Sequence, residues 1–372
     1  MRDSTRIVRA TLTEPVNGRP LHSGPVFASP FHAAGDPAGV AYSYGRSHNP
    51  TWAELEAAIA AIESADGAIQ VRTFASGLAA VAAVFGAVLR PGDRVVMQDN
   101  AYFAARQLLE ELFVPMGVTV RPVKTSELTN AAVVAEARLV WVESPSNPGL
   151  EVVDIALAAR IAHGAGALVA VDNTTATPLS QRPLELGADF SVCSDSKAMC
   201  GHSDLLLGHV AVKDTDLLAK LNRQRTLTGG IPGPMEAWLA LRSLATLPLR
   251  LARMSENALA LARFLNGRRE AVEVVYPGLE GHRGYDIARA QMRYFGPVLG
   301  FTLKSKKAAE QFLARALLVT EATSFGGVTT TAERRARWGH DDVAEGFIRL
   351  SAGCEDLEDL VADMSQALDG LQ

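Results

Sequence analysis

Val169-Ala170-Val171-Asp172-Asn173-Thr174 is an apolar run that stops at an acid. Ala167 to Val171 has the length and composition of a strand buried on both faces. The pattern recurs on either side of it. Asp93-Arg94-Val95-Val96-Met97, Val118-Thr119-Val120, Leu139-Val140-Trp141-Val142, Phe190-Ser191-Val192 and His209-Val210-Ala211-Val212 all read as short strands. Helical stretches lie among them. Glu54 to Ile62 sets Leu55, Ile59 and Ile62 on one face; Ser76 to Leu89 is stopped by Pro91-Gly92; Phe103 to Phe113 and Ile155 to His163 follow. Buried strands alternating with helices predict an α/β fold, a mostly parallel sheet with helices on both faces.

An acid at the C-terminal end of such a strand points into the crevice where these sheets bind ligands. Most acids in that position only cap a turn, so Asp172 alone decides little. Ser194-Asp195-Ser196-Lys197 follows the next strand, one helix and one strand further on. Asp172 and Lys197 can therefore converge on one crevice. A lysine and an acid at the two ends of a pyridine ring is the arrangement that pyridoxal 5'-phosphate requires. The phosphate then needs a seat. Phe74-Ala75-Ser76-Gly77-Leu78 opens a helix, with Ser76 as a natural N-cap and Gly77 permitting close backbone approach. Free N–H groups and the helix dipole favour an anion there, and Ser194 and Ser196 can donate to the same phosphate.

The rest of the chain narrows the function class. The net charge of -5 leaves no basic footprint for nucleic acid. Cys193, Cys200 and Cys354 fit neither a disulfide framework nor a zinc pair, and read as free thiols of a cytoplasmic protein. No apolar run is long enough to span a membrane, and the start of the chain lacks an apolar signal region. No Gly-x-Gly-x-x-Gly turn follows a strand in the N-terminal half, which argues against a nicotinamide-dependent oxidoreductase. Residues 1–50, with Pro15, Pro20, Pro25, Pro30 and Pro37, predict an irregular arm. Residues 51–240 form the predicted cofactor domain. A long helix from Met235 past Phe264, which Pro248 kinks or breaks, runs across the boundary, and residues 241–372 predict a smaller α+β domain.

Six motifs in order carry a resemblance over nearly the whole chain. They are Tyr42-Ser43-Tyr44-Gly45-Arg46 with Asn49-Pro50-Thr51; Ala75 to Ala80; Glu143-Ser144-Pro145-Ser146-Asn147-Pro148; Val171 to Thr174; Ser194 to Lys197 with Gly201-His202-Ser203-Asp204; and Arg349-Leu350-Ser351-Ala352-Gly353. In these the chain resembles the Cys/Met-metabolism (trans-sulfuration) family of fold-type I pyridoxal-phosphate enzymes. The resemblance implies that Lys197 is the Schiff-base lysine and that Asp172 partners the ring nitrogen. It implies a phosphate cradle of Ser76, Gly77, Leu78, Ser194 and Ser196. Tyr44 and Arg46 would reach the phosphate of a neighbouring subunit, in a homotetramer built as a dimer of dimers. Tyr102 would stack on the cofactor and serve in proton transfer. Arg349, Asn147 and Ser324 would hold a sulfur amino-acid substrate.

The chain departs from the family where a substrate side chain is read. Phe103 and Ala104 stand where glycine and, in methionine γ-lyases, cysteine are usual. No acid follows Gly326-Gly327 until Glu333. Asp195-Ser196 replaces the usual Ala-Thr before the lysine. Thr177-Pro178 and Gln181-Arg182-Pro183-Leu184 resemble the γ-lyase and γ-synthase branch. The expected activity is γ-elimination of the cystathionine γ-lyase type, with methionine γ-lyase and cystathionine γ-synthase as alternatives.

Overall fold

Strand polarity and the side on which strands end decide where this chain can place a site. The computed structural model describes residues 1–371. Seven strands form the first sheet: β1 (Gln70–Phe74), β2 (Arg94–Gln98), β3 (Thr119–Val123), β4 (Leu139–Glu143), β5 (Leu168–Asp172), β6 (Phe190–Cys193) and β7 (Gly208–Val212). Their order is β1-β7-β6-β5-β4-β2-β3. Only β7 runs against its neighbours. Ser194 to Leu207, which joins β6 to β7, contains no helix. The segment predicted to carry Lys197 is thus a helix-free return loop.

Both faces of the sheet are covered, as the apolar strands require. Leu139 and Trp141 of β4 pack into one core beside Phe85 and Phe190, while Val140 and Val142 pack into another beside Ile155 and Val169. The Trp141 ring meets Phe85 edge-on at 4.9 Å between centroids. Truncating a fully buried aromatic of this kind costs about 3–5 kcal/mol. The central strands are therefore a rigid base for what their ends carry.

Three α-helices precede β2 in the chain: α1 (Asp3–Ala10), α2 (Pro50–Glu63) and α3 (Gly77–Val88). Asn49 caps α2, accepting the Thr51 N–H, and Pro50 occupies the first turn. Ser76 caps α3. Helix α1 is not foreseen in the arm, because it ends before the first of the prolines. It buries only Ile7, against α2. The predicted helix from Met235 onward is two helices, Pro234–Leu244 and Leu247–Asn266, with Pro248 in the first turn of the second.

The second sheet holds β8 (Ala271–Val275), β9 (Val298–Leu303), β10 (Thr320–Glu321), β11 (Thr331–Arg334) and β12 (Phe347–Ser351), in the order β10-β11-β12-β9-β8. It packs on the Leu247–Asn266 helix and on helix Leu357–Leu368. No helix of the described residues is long and apolar enough to cross a membrane.

Candidate active site

The C-terminal ends of the parallel strands open on one cavity of about 400 Å³. Asp172 ends β5, Glu143 ends β4, and the two are register partners. Thr174 donates its backbone N–H to Asp172 Oδ1 at 3.1 Å. Glu143 accepts the N–H of Tyr102 at 2.5 Å and of Asn147 at 2.9 Å. Neighbouring buried carboxylates compete for charge. Burial and the Asp172 charge push Glu143 well above the ordinary carboxyl range. Burial also raises Asp172, opposed by Thr174 hydrogen bonds and by the Lys197 charge.

Lys197 lines the same cavity, its Nζ 5.6 Å from the centre of the Phe325 ring. Burial and the nearby Arg349 hold its pKa below the usual lysine value, with Asp172 pulling the other way. The shift favours the neutral amine that a nucleophilic lysine needs.

One end of the cavity is a cradle. Ser76 Oγ accepts the Ala79 N–H at 3.1 Å. The Gly77 and Leu78 N–H groups, in the first turn of α3, find no protein acceptor among the described residues. A Cβ on Gly77 would lie 2.5 Å from Ser194 Cβ, and one on Gly208 would lie 2.6 Å from Gly77 Cα. Helix start, Ser194 turn and β7 thus touch backbone to backbone, which only glycine permits. Ser194 lines the cavity; Ser196 lines it too, but its hydroxyl pairs with both the N–H and the C=O of Leu207. Unpaired N–H groups at a helix start suit a phosphate, and Lys197 opposite Asp172 suits the ring it would carry. These residues fit pyridoxal phosphate.

The other end is built on β11 and β12. Arg349 is buried, donating to Asn147 Oδ1 at 2.7 Å, to the Ser324 carbonyl at 2.8 Å and to Glu333. Three of its five donors are engaged, and two remain for a ligand. Burial lowers its pKa to about 10 against the attraction of Glu333. Ser324 turns its carbonyl to the guanidinium with φ at +75°, a conformation uncommon outside glycine. Tyr102 borders the cavity, and burial with the Asp172 and Glu143 charges raises its phenol pKa. The hydroxyl therefore stays a proton donor.

Eleven of the predicted site residues meet at this cavity: Ser76, Gly77, Leu78, Tyr102, Asn147, Asp172, Ser194, Ser196, Lys197, Ser324 and Arg349. Tyr44 and Arg46 do not. Both are exposed, the Arg46 guanidinium sits 5.5 Å from the Tyr44 ring centre, and it donates to the Thr226 carbonyl at 2.9 Å. Sequence reasoning missed Glu143, Phe325, Arg335, Trp338 and His340, which also line the cavity. Glu143 opens one of the recognised motifs, so its signal was present. Phe103, noted only as a departure, stacks on His340 with centroids 3.9 Å apart. Arg335 is held by Asp341 at 2.8 Å and Glu333 at 2.8 Å. The departure at Phe103 thus builds one wall with Trp338 and His340.

Comparison with known proteins identifies the family. The model of the Cys/Met metabolism PLP-dependent enzymes matches residues 19–369. A Streptomyces coelicolor protein provisionally named a cystathionine gamma-lyase is 51% identical, over 99% of this chain and 93% of its own length. A cystathionine gamma-synthase of Mycobacterium tuberculosis is 39% identical, over 92% of this chain and 91% of its own. The structure of CalE6, a methionine gamma lyase from Micromonospora echinospora, superposes with a TM-score of 0.91 at 37% identity, covering 99% of each chain. The architecture is that of fold-type I pyridoxal-phosphate enzymes. The chain belongs to the family of Cys/Met-metabolism PLP-dependent enzymes, and is a pyridoxal-phosphate-dependent carbon–sulfur lyase.

Proposed function

We propose that this enzyme catalyses γ-elimination from cystathionine, consuming water and releasing cysteine, 2-oxobutanoate and ammonia. The observation that favours cystathionine as substrate is a pair of guanidiniums at the cavity wall, and the γ position rests on the resemblance of Thr177-Pro178 and Gln181-Arg182-Pro183-Leu184 to the γ-lyase and γ-synthase branch. Arg349 has donors free for one carboxylate, and Arg335 stands at the same wall. Cystathionine brings two carboxylates, one at each end; methionine brings one.

Bound there, pyridoxal phosphate supplies an electron sink for a carbanion at the substrate Cα. Lys197 holds it at rest through its Nζ. The free amine of Lys197 would take the Cα proton and then help to remove a proton from Cβ. Asp172 would hold the ring nitrogen of the cofactor protonated. Tyr102 donates its phenolic proton to the departing sulfur. Ser76, Gly77, Leu78, Ser194 and Ser196 seat the phosphate. Arg349, with Asn147 and Ser324, orients the substrate carboxylate as a planar fork.

Methionine is the second reading, and the Phe103–His340 stack with Trp338 beside it supports it, since thioether sulfur packs well on aromatic rings. The relatives carry both names: CalE6 is called a methionine gamma lyase in one structure and a cystathione gamma lyase in another. Capture of the same elimination product by a thiol, as in a γ-synthase, is the third. Arg335→Leu separates the first two. The variant is expected to lose about 10- to 100-fold in kcat/KM for cystathionine, the worth of one charge-assisted hydrogen bond, and to stay within about 3-fold for methionine. Equal losses on both substrates would remove Arg335 from the recognition of the distal end.

Tyr44 and Arg46, exposed and outside their own chain's cavity, are assigned to the phosphate of a neighbouring subunit in a homotetramer of paired dimers. A holoenzyme that sediments as a monomer would contradict this. The three cysteines form no disulfide, which suits a reducing cytoplasm.

A further inference from the structure

His209 of β7 is fully buried, and a carboxylate faces each of its ring nitrogens. Nδ1 lies 2.7 Å from Asp195 Oδ1, and Nε2 lies 3.0 Å from Glu63 Oε1. Glu63 ends α2, is fully buried, and also accepts the Ser191 hydroxyl at 2.8 Å. Asp195 is 1% exposed and belongs to the turn that carries Lys197. An ionised carboxylate can only accept, and a neutral imidazole donates from one nitrogen only. Donation to two ionised carboxylates requires an imidazolium, and against burial, which lowers it, Asp195 and Glu63 raise the His209 pKa to about 10.

Cys193 lies beside His209 and Asp195, and the three would make a metal-ligand set by type. Both imidazole nitrogens are already taken by carboxylates. Burial and those carboxylates hold the Cys193 thiol well above its usual pKa, so it is not the thiolate a metal wants. The group is an ion triad.

Its place in the fold gives it a task. The residue before His209 is Gly208, whose backbone packs on Gly77 at the mouth of the cradle. One dipeptide of β7 thus touches the start of α3 through its backbone and the lysine turn through its side chain. We propose that His209 is a positioning residue, clamping Asp195 so that Ser194 and Lys197 sit at a fixed distance from the start of α3 and from Asp172. Nothing in this proposal depends on which sulfur amino acid is consumed.

The test compares Asp195→Asn with Asp195→Ala in the full-length protein, at a temperature where circular dichroism shows both folded. Asn keeps an oxygen that accepts from His209; Ala keeps nothing. For Asp195→Ala, titration of the apoenzyme with pyridoxal phosphate should give a Kd raised about 10- to 100-fold. The visible absorption of the lysine-bound cofactor should shift, and kcat should fall with KM within about 3-fold. Asp195→Asn should stay within about 3-fold of the unsubstituted enzyme in each. An Asp195→Ala protein with lowered Tm but unchanged Kd and spectrum would reduce the triad to support of the fold and overturn the proposal. So would an Asp195→Asn protein as impaired as Asp195→Ala. Should Asp195→Ala fail to fold, Asp195→Asn and His209→Leu carry the comparison. Leu donates to neither carboxylate, so an unchanged Kd in a folded His209→Leu protein would overturn the proposal equally.

Discussion

Lys197→Ala is expected to lower kcat/KM for cystathionine by at least about 10³-fold and to abolish the visible absorption of the lysine-bound cofactor. Two roles fall together in this variant, the covalent hold on the cofactor and the movement of protons at Cα and Cβ. Acid–base transfer by a positioned side chain alone is worth about 10²- to 10⁴-fold. The fold should not suffer. Lys197 is only partly buried, sits beside the cation Arg349, and makes no side-chain hydrogen bond among the described residues. The apoenzyme of the variant should therefore unfold at or above the temperature of the unsubstituted apoenzyme. Steady-state rates, the absorption spectrum and a thermal melt check the three parts separately. A rate within about 10-fold of the unsubstituted enzyme would take Lys197 out of the chemistry.

Asp172→Asn is expected to lower kcat by about 10²- to 10³-fold, because an amide cannot hold the ring nitrogen's proton as a carboxylate does. The same variant should make the apoenzyme more stable at neutral pH. Burial raises the Asp172 pKa above its ordinary value of 3.8, and the charge of Asp172 in turn raises Glu143. A carboxyl whose pKa is raised by folding binds its proton more tightly in the native state. Its cost is absent below the unfolded pKa and grows as pH rises through the native one. Asn carries no such cost, and it relieves Glu143 as well. Melting curves of the two apoenzymes should converge in acid and separate toward neutral pH, with the variant higher. Such a trade of stability for activity is common where a site needs buried charge. A variant less stable than the unsubstituted apoenzyme at pH 7 would mean that Asp172 is held by the fold rather than strained by it.

Much of the fold and the site was legible in the chain. β4 and β5 announce themselves as unbroken apolar runs because both of their faces are buried, and the acids that end them follow at the boundary. Ser76-Gly77 was legible because a cap and a close approach each demand a residue type. The direction of β7 was not, since nothing in His209-Val210-Ala211-Val212 encodes polarity. Helix α1 was hidden because it buries only Ile7 and so shows no apolar stripe. The Arg335–Trp338–His340 wall was invisible for a different reason. Its residues are polar or aromatic in an irregular segment, and their partner Phe103 lies far away in sequence. Contacts of that kind arise only when the two sheets are brought together. The His209 triad is similar: Glu63, Asp195 and His209 come from three separate elements, and only the family's usual Ala at 195 hinted that something local had changed.

The most direct test of the central claim is to supply the holoenzyme with L-cystathionine and identify the keto acid and thiol released. The proposed γ-elimination predicts 2-oxobutanoate with cysteine, formed by cleavage at Cγ. Pyruvate with homocysteine would show cleavage at Cβ instead, and would contradict the assignment of γ-elimination to this site.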